Sequence, residues 1–228
     1  MNIAIIPARG GSKRIPRKNI KQFHGKPLIA YSIDAAIKSG CFDKIIVSTD
    51  DQEIAEVAMK YGAEVAFMRP ANISDDYATT LDVIQHAIQW FEEHDCPVKN
   101  ACCIYATAPF LSAEFIQQGL TTLTQNDIDY AFSATSYAFP IQRAVKINSE
   151  QRVVMFEPAH INTRSQDLEE AYHDAGQFYW GTASAFVAKK AIFGPRSSAV
   201  LLPRKRVQDI DTPEDWEYAE ALYRAIEC

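Results

Sequence analysis

Short apolar runs of the kind that form buried strands alternate along much of the chain with longer segments whose apolar residues recur at helical spacing. Strands are predicted at Ile3–Ile6, Lys44–Thr49, Glu64–Phe67, Ala101–Tyr105 and Tyr130–Ala134, and helices at Leu28–Ile37, Asp51–Tyr61, Ala78–Phe91 and Glu114–Leu123. Gly40 and Gly62 follow the first two helices, as residues that tolerate left-handed geometry at a helix end do. This order predicts an α/β fold with three layers, α/β/α, around a mainly parallel sheet.

The alternation stops after Ser136. The stretch from 139 to 183 is polar, aromatic and rich in turn residues, and it contains no clear long helix. A stretch of this size is seldom structureless in a compact domain. We expect one domain over residues 1–228, with an insertion at about 139–183. The remaining predicted elements are a hairpin of Ala144–Ile147 and Arg152–Phe156, a return of the α/β alternation at Ala185–Val187 and Ala199–Leu202, and a closing helix at Pro213–Ile226.

Composition and charge narrow the classes of partner. The 228 residues carry a net charge of −6, so the surface as a whole should repel nucleic acid. No apolar run is long enough to span a membrane, and the N-terminus enters a strand directly, without a signal peptide. The five cysteines show no metal-binding spacing and are expected to be free thiols in a reducing compartment. We therefore expect a cytoplasmic protein that binds neither nucleic acid nor membranes.

A glycine-rich basic loop follows the first strand. Gly10 and Gly11 allow the backbone to turn tightly and approach a ligand closely. The cations of this loop are Arg9, Lys13, Arg14, Arg17 and Lys18. A glycine turn with clustered cations at the end of a strand suits a polyphosphate. The alternative is a solvated basic loop, but the acidic background of the chain favours a compact anionic ligand.

The loop reads A-R-G-G-S-K from Ala8 to Lys13 and P-R-K-N from Pro16 to Asn19. It resembles the nucleotide-binding loop of the sugar-acid cytidylyltransferases, which include the CMP-sialic acid synthetases and their relatives for pseudaminic, legionaminic and Kdo acids. The resemblance implies a Rossmann-like fold of the nucleotide-diphospho-sugar transferase type, CTP as co-substrate, and a homodimer whose insertion carries the dimer contacts and closes the sugar pocket. It implies that Lys18 stabilises charge during transfer and that the triphosphate is cradled by Arg9, Gly10, Gly11, Ser12, Lys13, Lys18 and Asn19.

A second pattern, acidic, precedes the closing helix. Asp209 and Asp211 are two residues apart in an extended segment, so both can reach one point. Two such carboxylates repel unless a proton or cation lies between them, and hard oxygen ligands suit Mg²⁺. Helix capping is the alternative; it explains Thr212 and Asp215 well and Asp209 poorly. The I-D-T-P-x-D sequence also resembles the end of the family's chains, where the matching aspartates hold the catalytic Mg²⁺.

Two further residues are assigned to the nucleotide by resemblance. Arg69, followed by proline, resembles an arginine that lies near the nucleotide in the family; a solvated loop arginine is the alternative. Thr80 ends a run, D-Y-A-T-T, that resembles the family's D-x-A-[ST]-[ST], in which a hydroxyl touches the cytidine. Thr79 or Thr80 could instead cap the following helix.

The residues expected near the sugar depart from the sialic acid enzymes. Tyr105 and Thr107 lie in Y-A-T-A-P-F, where those enzymes usually read Q-P-T-S-P, and a phenol cannot copy the paired donor and acceptor of an amide. The run D-A-G-Q-F-Y-W, which contains Gln177 and Tyr179, resembles the pseudaminic acid branch. Arg164 could pair with the carboxylate of the sugar, or be a surface arginine.

Together with these patterns, the family resemblance implies an Mg²⁺-dependent transfer of CMP from CTP to the C2 hydroxyl of a nonulosonic acid, pseudaminic acid above all, with release of pyrophosphate. Legionaminic, N-acetylneuraminic and Kdo acids are alternative substrates within the class. Outside this class, the chain could be a sugar-phosphate nucleotidyltransferase or a nucleotide-binding module without turnover, and such a module would not need two paired aspartates.

Overall fold

The computed structural model describes residues 1–75, 78–125 and 127–227. Within these ranges the strands are β1 (Asn2–Pro7), β2 (Gln22–Phe23), β3 (Lys26–Pro27), β4 (Lys44–Ser48), β5 (Asn100–Ile104), β6 (Tyr130–Ser136), β7 (Val145–Ile147), β8 (Val153–Met155), β9 (Tyr172–Thr182) and β10 (Ser197–Leu201). The helices are α1 (Leu28–Ser39), α2 (Gln52–Lys60), α3 (Thr80–Glu93), α4 (Ala113–Gln125), α5 (Ala183–Val187) and α6 (Pro213–Glu227). Asp76 and Tyr77, the first two residues of the D-Y-A-T-T run, lie outside the described residues.

A six-stranded sheet in the order β10-β6-β9-β5-β1-β4 forms the centre of the molecule. β1 is parallel to both β4 and β5, and β10 is parallel to β6, whereas β9 runs antiparallel to both of its neighbours. The predicted mainly parallel α/β fold is thereby confirmed. Within the described ranges, no helix has both the length and the apolar character needed to cross a membrane.

Both faces of the sheet are covered by helices, because successive strand residues point to opposite sides. Ile6 of β1 belongs to the apolar layer that contains Ile33 of α1, whereas Ile3 and Ile5 belong to the layer that contains Ile88 of α3. All five side chains are fully buried. This is the three-layer arrangement that the alternating pattern predicts.

The local signals at helix ends act as expected. Gly40 and Gly62 have φ of 63° and 95°, the left-handed geometry that suits glycine. Thr79 caps α3 in a reciprocal capping box with Asp82. Thr79 is therefore the cap, and Thr80, the next residue, lines the pocket described below.

The predicted strand at Glu64–Phe67 is wrong. This segment follows the edge of β4 but makes only two isolated parallel bridges, Glu64 with Ile46 and Met68 with Thr49. Its backbone is bonded to β4 near its two ends and not between them, so no ladder forms. The second bridge nevertheless carries Arg69 to the carboxyl end of β4, where its N–H donates to the carbonyl of Thr49 at 2.7 Å.

The expected insertion must be shortened at its C-terminal end. Tyr172–Thr182 is strand β9, which lies between β5 and β6 in the middle of the sheet, with Phe178 and Trp180 fully buried. Its polar start, Tyr172 to Gln177, conceals this strand in the sequence. The excursion outside the sheet therefore covers 137–171, with the hairpin of β7 and β8 where it is predicted. The segment 185–187 belongs to the short helix α5.

Candidate active site

A pocket of about 520 Å³ opens at the carboxyl ends of β1 and β5, where ligands of open parallel sheets bind. Its volume is in the range of small-molecule sites. The residues that line it are Pro7, Arg9, Ser12, Lys13, Arg14, Ile15, Lys18, Asn19, Arg69, Asp75, Ala78, Thr80, Val83, Tyr105, Ala106, Thr107 and Asp211. Both sequence patterns, the basic loop and the acidic segment, thus reach the same cavity.

The basic loop forms one wall of this pocket. Arg9, Lys13, Arg14 and Lys18 line it together with Ser12, and Gly10 and Gly11 provide the backbone of the turn between them. Asn19 also lines the pocket, but it is nearly buried and its amide donates to the carbonyl of Arg9 at 3.0 Å, which closes the base of the loop. Arg17 is outside the lining of the pocket and pairs with Asp51.

Asp211 lies opposite the loop and contacts two of its cations. Its carboxylate is 2.8 Å from a terminal nitrogen of Arg14 and 3.1 Å from Nζ of Lys18. Lys18 also donates to the carbonyl of Ile210 at 2.5 Å, and only 17% of its side chain is exposed. Burial raises the pKa of Asp211, but the hydrogen bond from Lys18 and the charges of Lys18 and Arg14 outweigh it, so the pKa is lowered. Asp211 is therefore ionised at neutral pH.

The capping alternative accounts for Asp215, not for Asp211. The carboxylate of Asp215 accepts the N–H groups of Asp211 and Thr212, at 3.1 and 2.7 Å, and thereby starts α6. Asp209 lies outside the lining of the pocket, but its pKa is affected by two residues that line it, Asp211 and Lys18. Burial and the negative charge of Asp211 raise the pKa of Asp209, while Lys18 opposes this shift. The two carboxylates are therefore near enough to repel each other, and a metal ion shared by them stays a prediction.

The donor set fits Mg²⁺ better than a softer metal. Within residues 1–75, 78–125 and 127–227, no group of three or more His, Cys, Asp or Glu side chains could hold a metal ion. Mg²⁺ keeps several waters and is usually held by one or two carboxylates together with substrate phosphates. Asp209 and Asp211 supply carboxylate oxygens of this kind, next to a basic loop suited to phosphates.

Arg69 brings a buried positive charge to another wall. It is 7% exposed, and one terminal nitrogen donates to the carbonyl of Ser48 at 2.9 Å. Burial lowers its pKa, against the opposing charge of Asp50. Its Nε has no hydrogen-bond partner among the described residues. A buried donor without an acceptor is costly, so a ligand that offers an oxygen here would be favoured.

Tyr105 connects the pocket to the interior of the sheet. It lines the cavity, and its ring centroid is 5.5 Å from that of Tyr179. Burial raises the pKa of Tyr105, and the nearby hydroxyls of Tyr179 and Thr80 oppose this shift. Tyr179 is 5% exposed and donates in turn to the carboxylate of Asp174. Tyr105 thus packs against a tyrosine whose hydroxyl is bonded to a carboxylate, and Tyr179 lies behind it rather than in the pocket lining.

The other residues assigned to the sugar lie in different places. Thr107 lines the pocket. Gln177 is 3% exposed and outside the lining; its amide donates to the carbonyl of Arg206, and its Oε1 has no partner in the described ranges. Arg164 is also outside the pocket: its side chain is 72% exposed and pairs with Asp167 at 2.7 Å. A direct role of Gln177, Tyr179 or Arg164 stays a prediction.

Several residues at the site carry no sequence signal of their own. Ala78 and Val83 line the pocket as ordinary apolar residues, and Asp75 joins them while its backbone carbonyl accepts from Arg9 at 3.2 Å. Asp50, which accepts the N–H of Gly10 at 3.0 Å, could have been suspected from its place at the end of β4. Asp174 is recognisable only once Tyr179 is known to lie beside it.

Comparisons with known proteins show what this chain is similar to. A family model described as cytidylyltransferase matches residues 3–226. The chain is 51% identical to the pseudaminic acid cytidylyltransferase of Campylobacter jejuni over 98% of its own length and 96% of that protein. It is 30% identical to the CMP-N,N'-diacetyllegionaminic acid synthase of Legionella pneumophila over 96% of its length and 95% of that protein.

A solved structure of CMP:2-keto-3-deoxy-manno-octonic acid synthetase complexed with CTP matches with a TM-score of 0.71 and covers 100% of this chain and 99% of that one. At 18% identity this likeness shows the fold.

Proposed function

Because this chain belongs to the cytidylyltransferase family, a family of nucleotidyltransferases, we propose that it transfers CMP from CTP to the C2 hydroxyl of a nonulosonic acid and releases pyrophosphate. The observation that carries the proposal is the meeting of the basic loop and Asp211 in one pocket of substrate size. The acid proposed is pseudaminic acid. This choice is supported by the 51% identity to the Campylobacter jejuni enzyme and by Tyr105 at the pocket wall.

The basic loop binds the triphosphate. Arg9, Ser12 and Lys13 supply donors and positive charge from the wall of the pocket, with the backbone of Gly10 and Gly11 between them. Lys18 is the more buried of the two cations that contact Asp211, 17% exposed against 63% for Arg14, so we assign it to the negative charge that develops as the pyrophosphate departs. Catalysis then depends on positioning and electrostatics, since none of the described residues that line the pocket is a histidine.

Asp209 and Asp211 would hold Mg²⁺. When bound, this ion neutralises phosphate oxygens and lowers the pKa of a hydroxyl that coordinates it. The contributions of the chain itself are visible in the ion pairs. Arg14 and Lys18 fix the orientation of the Asp211 carboxylate, and the same cations lie in the wall to which the phosphates bind.

The nucleoside and the sugar acid take the remaining walls. Arg69 offers its unpartnered Nε, and Thr80 its hydroxyl, to the nucleoside. Tyr105 and Thr107 face the sugar, while the ring of Tyr179 packs against that of Tyr105 from behind. Gln177 supports the same wall, because its carbonyl accepts the N–H of Tyr105 at 2.9 Å.

We further propose a cytoplasmic homodimer. The excursion at 137–171 exposes apolar side chains that a monomer would leave in water; Val145, Ile147, Val153 and Phe156 are 52%, 65%, 68% and 62% exposed. Surfaces of this kind mark protein–protein interfaces. Arg164 lies in the same excursion, so a dimer offers it a route to a sugar carboxylate. The free thiols of Cys102 and Cys103 suit a reducing compartment.

The test is pyrophosphate release from CTP and Mg²⁺ by the purified protein, with pseudaminic, legionaminic, N-acetylneuraminic and Kdo acids supplied in turn. A sugar 1-phosphate is included to detect a sugar-phosphate nucleotidyltransferase. We expect turnover with the free acids and the highest specificity constant with pseudaminic acid. Binding of CTP without pyrophosphate release from any acid would favour the non-catalytic module instead.

A further inference from the structure

One cation of the basic loop differs from the other four. Arg9, Lys13, Arg14 and Lys18 line the pocket, and Arg17 does not. Its guanidinium makes two bonds to the carboxylate of Asp51, at 2.5 and 2.9 Å, and a further ion pair with Glu53. Its charge is therefore already neutralised within the protein. Since Arg17 is paired and also lies outside the pocket lining, we do not assign it to phosphate binding.

The backbone at Arg17 is held in an uncommon conformation. Its φ is 56°, in the left-handed region that non-glycine residues seldom adopt. Such a conformation persists when the surroundings determine it, and here the surroundings are the two carboxylates that hold its side chain. The hydrogen bond from Arg17 also keeps the pKa of Asp51 below its usual range, so the pair is fully charged at neutral pH.

The N-terminal part of the basic loop contacts the same segment, Asp50 and Asp51. The N–H of Gly10 donates to Asp50 at 3.0 Å, and a Cβ added to Gly10 would lie 2.7 Å from Oδ2 of Asp51. Asp51 in turn caps α2, since its Oδ1 accepts the N–H of Ile54 at 3.0 Å. Both ends of the basic loop are thus bonded to residues at the N-terminal end of α2: Gly10 near the start of the loop and Arg17 near its end.

We propose that Asp50 and Asp51 form an anchor that holds the basic loop in its anion-binding shape, with Arg17 as a positioning residue that touches no substrate. The inference rests on the proposed function, because it assigns the shape of the loop to triphosphate binding. A loop that is ordered before it meets its ligand binds more tightly, because the entropy of ordering is lost on folding and not on binding. Release of one residue weakens binding by about tenfold.

The first experiment measures binding of inorganic tripolyphosphate without metal, by calorimetry, together with kcat and KM for CTP and for the sugar acid. Arg17→Met should raise the Kd for tripolyphosphate and the KM for CTP about tenfold, with kcat and the KM of the sugar unchanged within about twofold. Arg17→Lys should restore part of the loss. Arg196→Met is the matched control, since Arg196 also bridges two carboxylates, those of Asp127 and Asp129, outside the pocket lining.

Asp51→Asn separates the anchor from direct phosphate binding by the sign of its effect. Asparagine can still cap α2, so the helix is kept while the charged pair is lost. If Arg17 were a phosphate ligand restrained by Asp51, this variant would free the guanidinium and strengthen tripolyphosphate binding. The anchor predicts weaker binding. Glu53→Gln is the control for charge alone, because it removes one charge beside Arg17 and leaves the two-bond pair with Asp51 in place.

Any of three results would overturn the anchor. Arg17→Met could bind tripolyphosphate as tightly as the wild type does, or Asp51→Asn could bind it more tightly. Arg17→Met could also show a lower kcat with an unchanged KM for CTP. Binding of tripolyphosphate does not require turnover. If the wild type binds it but releases no pyrophosphate with any acid, the proposed function fails while the anchor is still tested.

Discussion

Asp211→Asn is the substitution that separates the chemistry of the site from its stability. The carboxylate pairs with Lys18 and Arg14, whose side chains are 17% and 63% exposed, and Asp211 itself is 40% exposed. At this exposure, solvent screens the pairs strongly, so their loss should lower the free energy of unfolding by about 1 kcal/mol. For a chain of this length that is a decrease in Tm of about 2–4 °C.

The effect on the reaction should be much larger. The variant loses one of two proposed metal ligands and releases Lys18 from its partner, and the removal of one preorganised electrostatic group typically costs about a hundredfold or more in kcat. Asparagine keeps the size of the side chain, so the fold survives. We therefore expect a small thermal shift together with a loss of turnover and a raised Mg²⁺ requirement of the residual activity.

The assays are thermal unfolding and pyrophosphate release over a titration of Mg²⁺. Asp127→Asn is the matched control: Asp127 also pairs with an arginine, but its side chain is 95% exposed and outside the lining of the pocket. It should leave both quantities unchanged. A rate close to that of the wild type at low Mg²⁺ would refute the two-aspartate site. If Tm instead falls so far that unfolding of the variant accounts for the loss of turnover, the effect is structural.

Three further predictions follow from single positions. With Tyr105 in place of an amide, the specificity constant for pseudaminic acid should exceed that for N-acetylneuraminic acid by about tenfold to a hundredfold, because the extra hydroxyl of the latter finds no partner; equal constants would remove this assignment. Asp82→Asn should cost about 1 kcal/mol of unfolding free energy at pH 7, since a hydrogen bond from the half-exposed Lys189 lowers the pKa of Asp82 to about 2. The lowered pKa stabilises the fold above pH ~4 and ceases to do so as the pH falls through about 2, so denaturant unfolding of the two proteins should converge there. Gly181→Ala should cost about 2 kcal/mol, because its Cβ would lie 2.6 Å from two buried aromatic rings, whereas Gly194→Ala meets nothing closer than 3.7 Å and should be neutral in a thermal melt.

The sequence allowed us to predict those parts of the site that are formed by residues close together in the chain. The loop from Arg9 to Asn19 and the pair Asp209 and Asp211 each have a charge pattern that is chemically costly without a ligand, so each could be found separately. Their meeting through Lys18 and Asp211 follows from the sheet, in which both segments leave at the carboxyl end.

Orientation within the loop could not be predicted from the sequence. Arg17 and Lys18 are adjacent cations, but Arg17, whose backbone is left-handed, pairs with Asp51 outside the pocket lining, whereas Lys18 pairs with Asp211 inside it. The strand β9 escapes sequence-based prediction for a related reason. Its polar start resembles a loop, and its place in the sheet depends on pairing with β5 and β6, both far away in sequence.

The central position of β9 also determines the order in which the strands of the sheet can pair during synthesis. During synthesis β5, β1 and β4 emerge first and can form a half-sheet, but β5 then has an open edge until residue 182 has been made. Open strand edges recruit other chains, so the nascent half-sheet is exposed to aggregation for the time needed to synthesise about eighty residues. Tyr105 is supported by the carbonyl of Gln177 and the ring of Tyr179, both in this late strand, and the pocket is therefore among the last parts of the protein to become functional. A chain truncated before β9 would retain the whole basic loop and still lack a binding site.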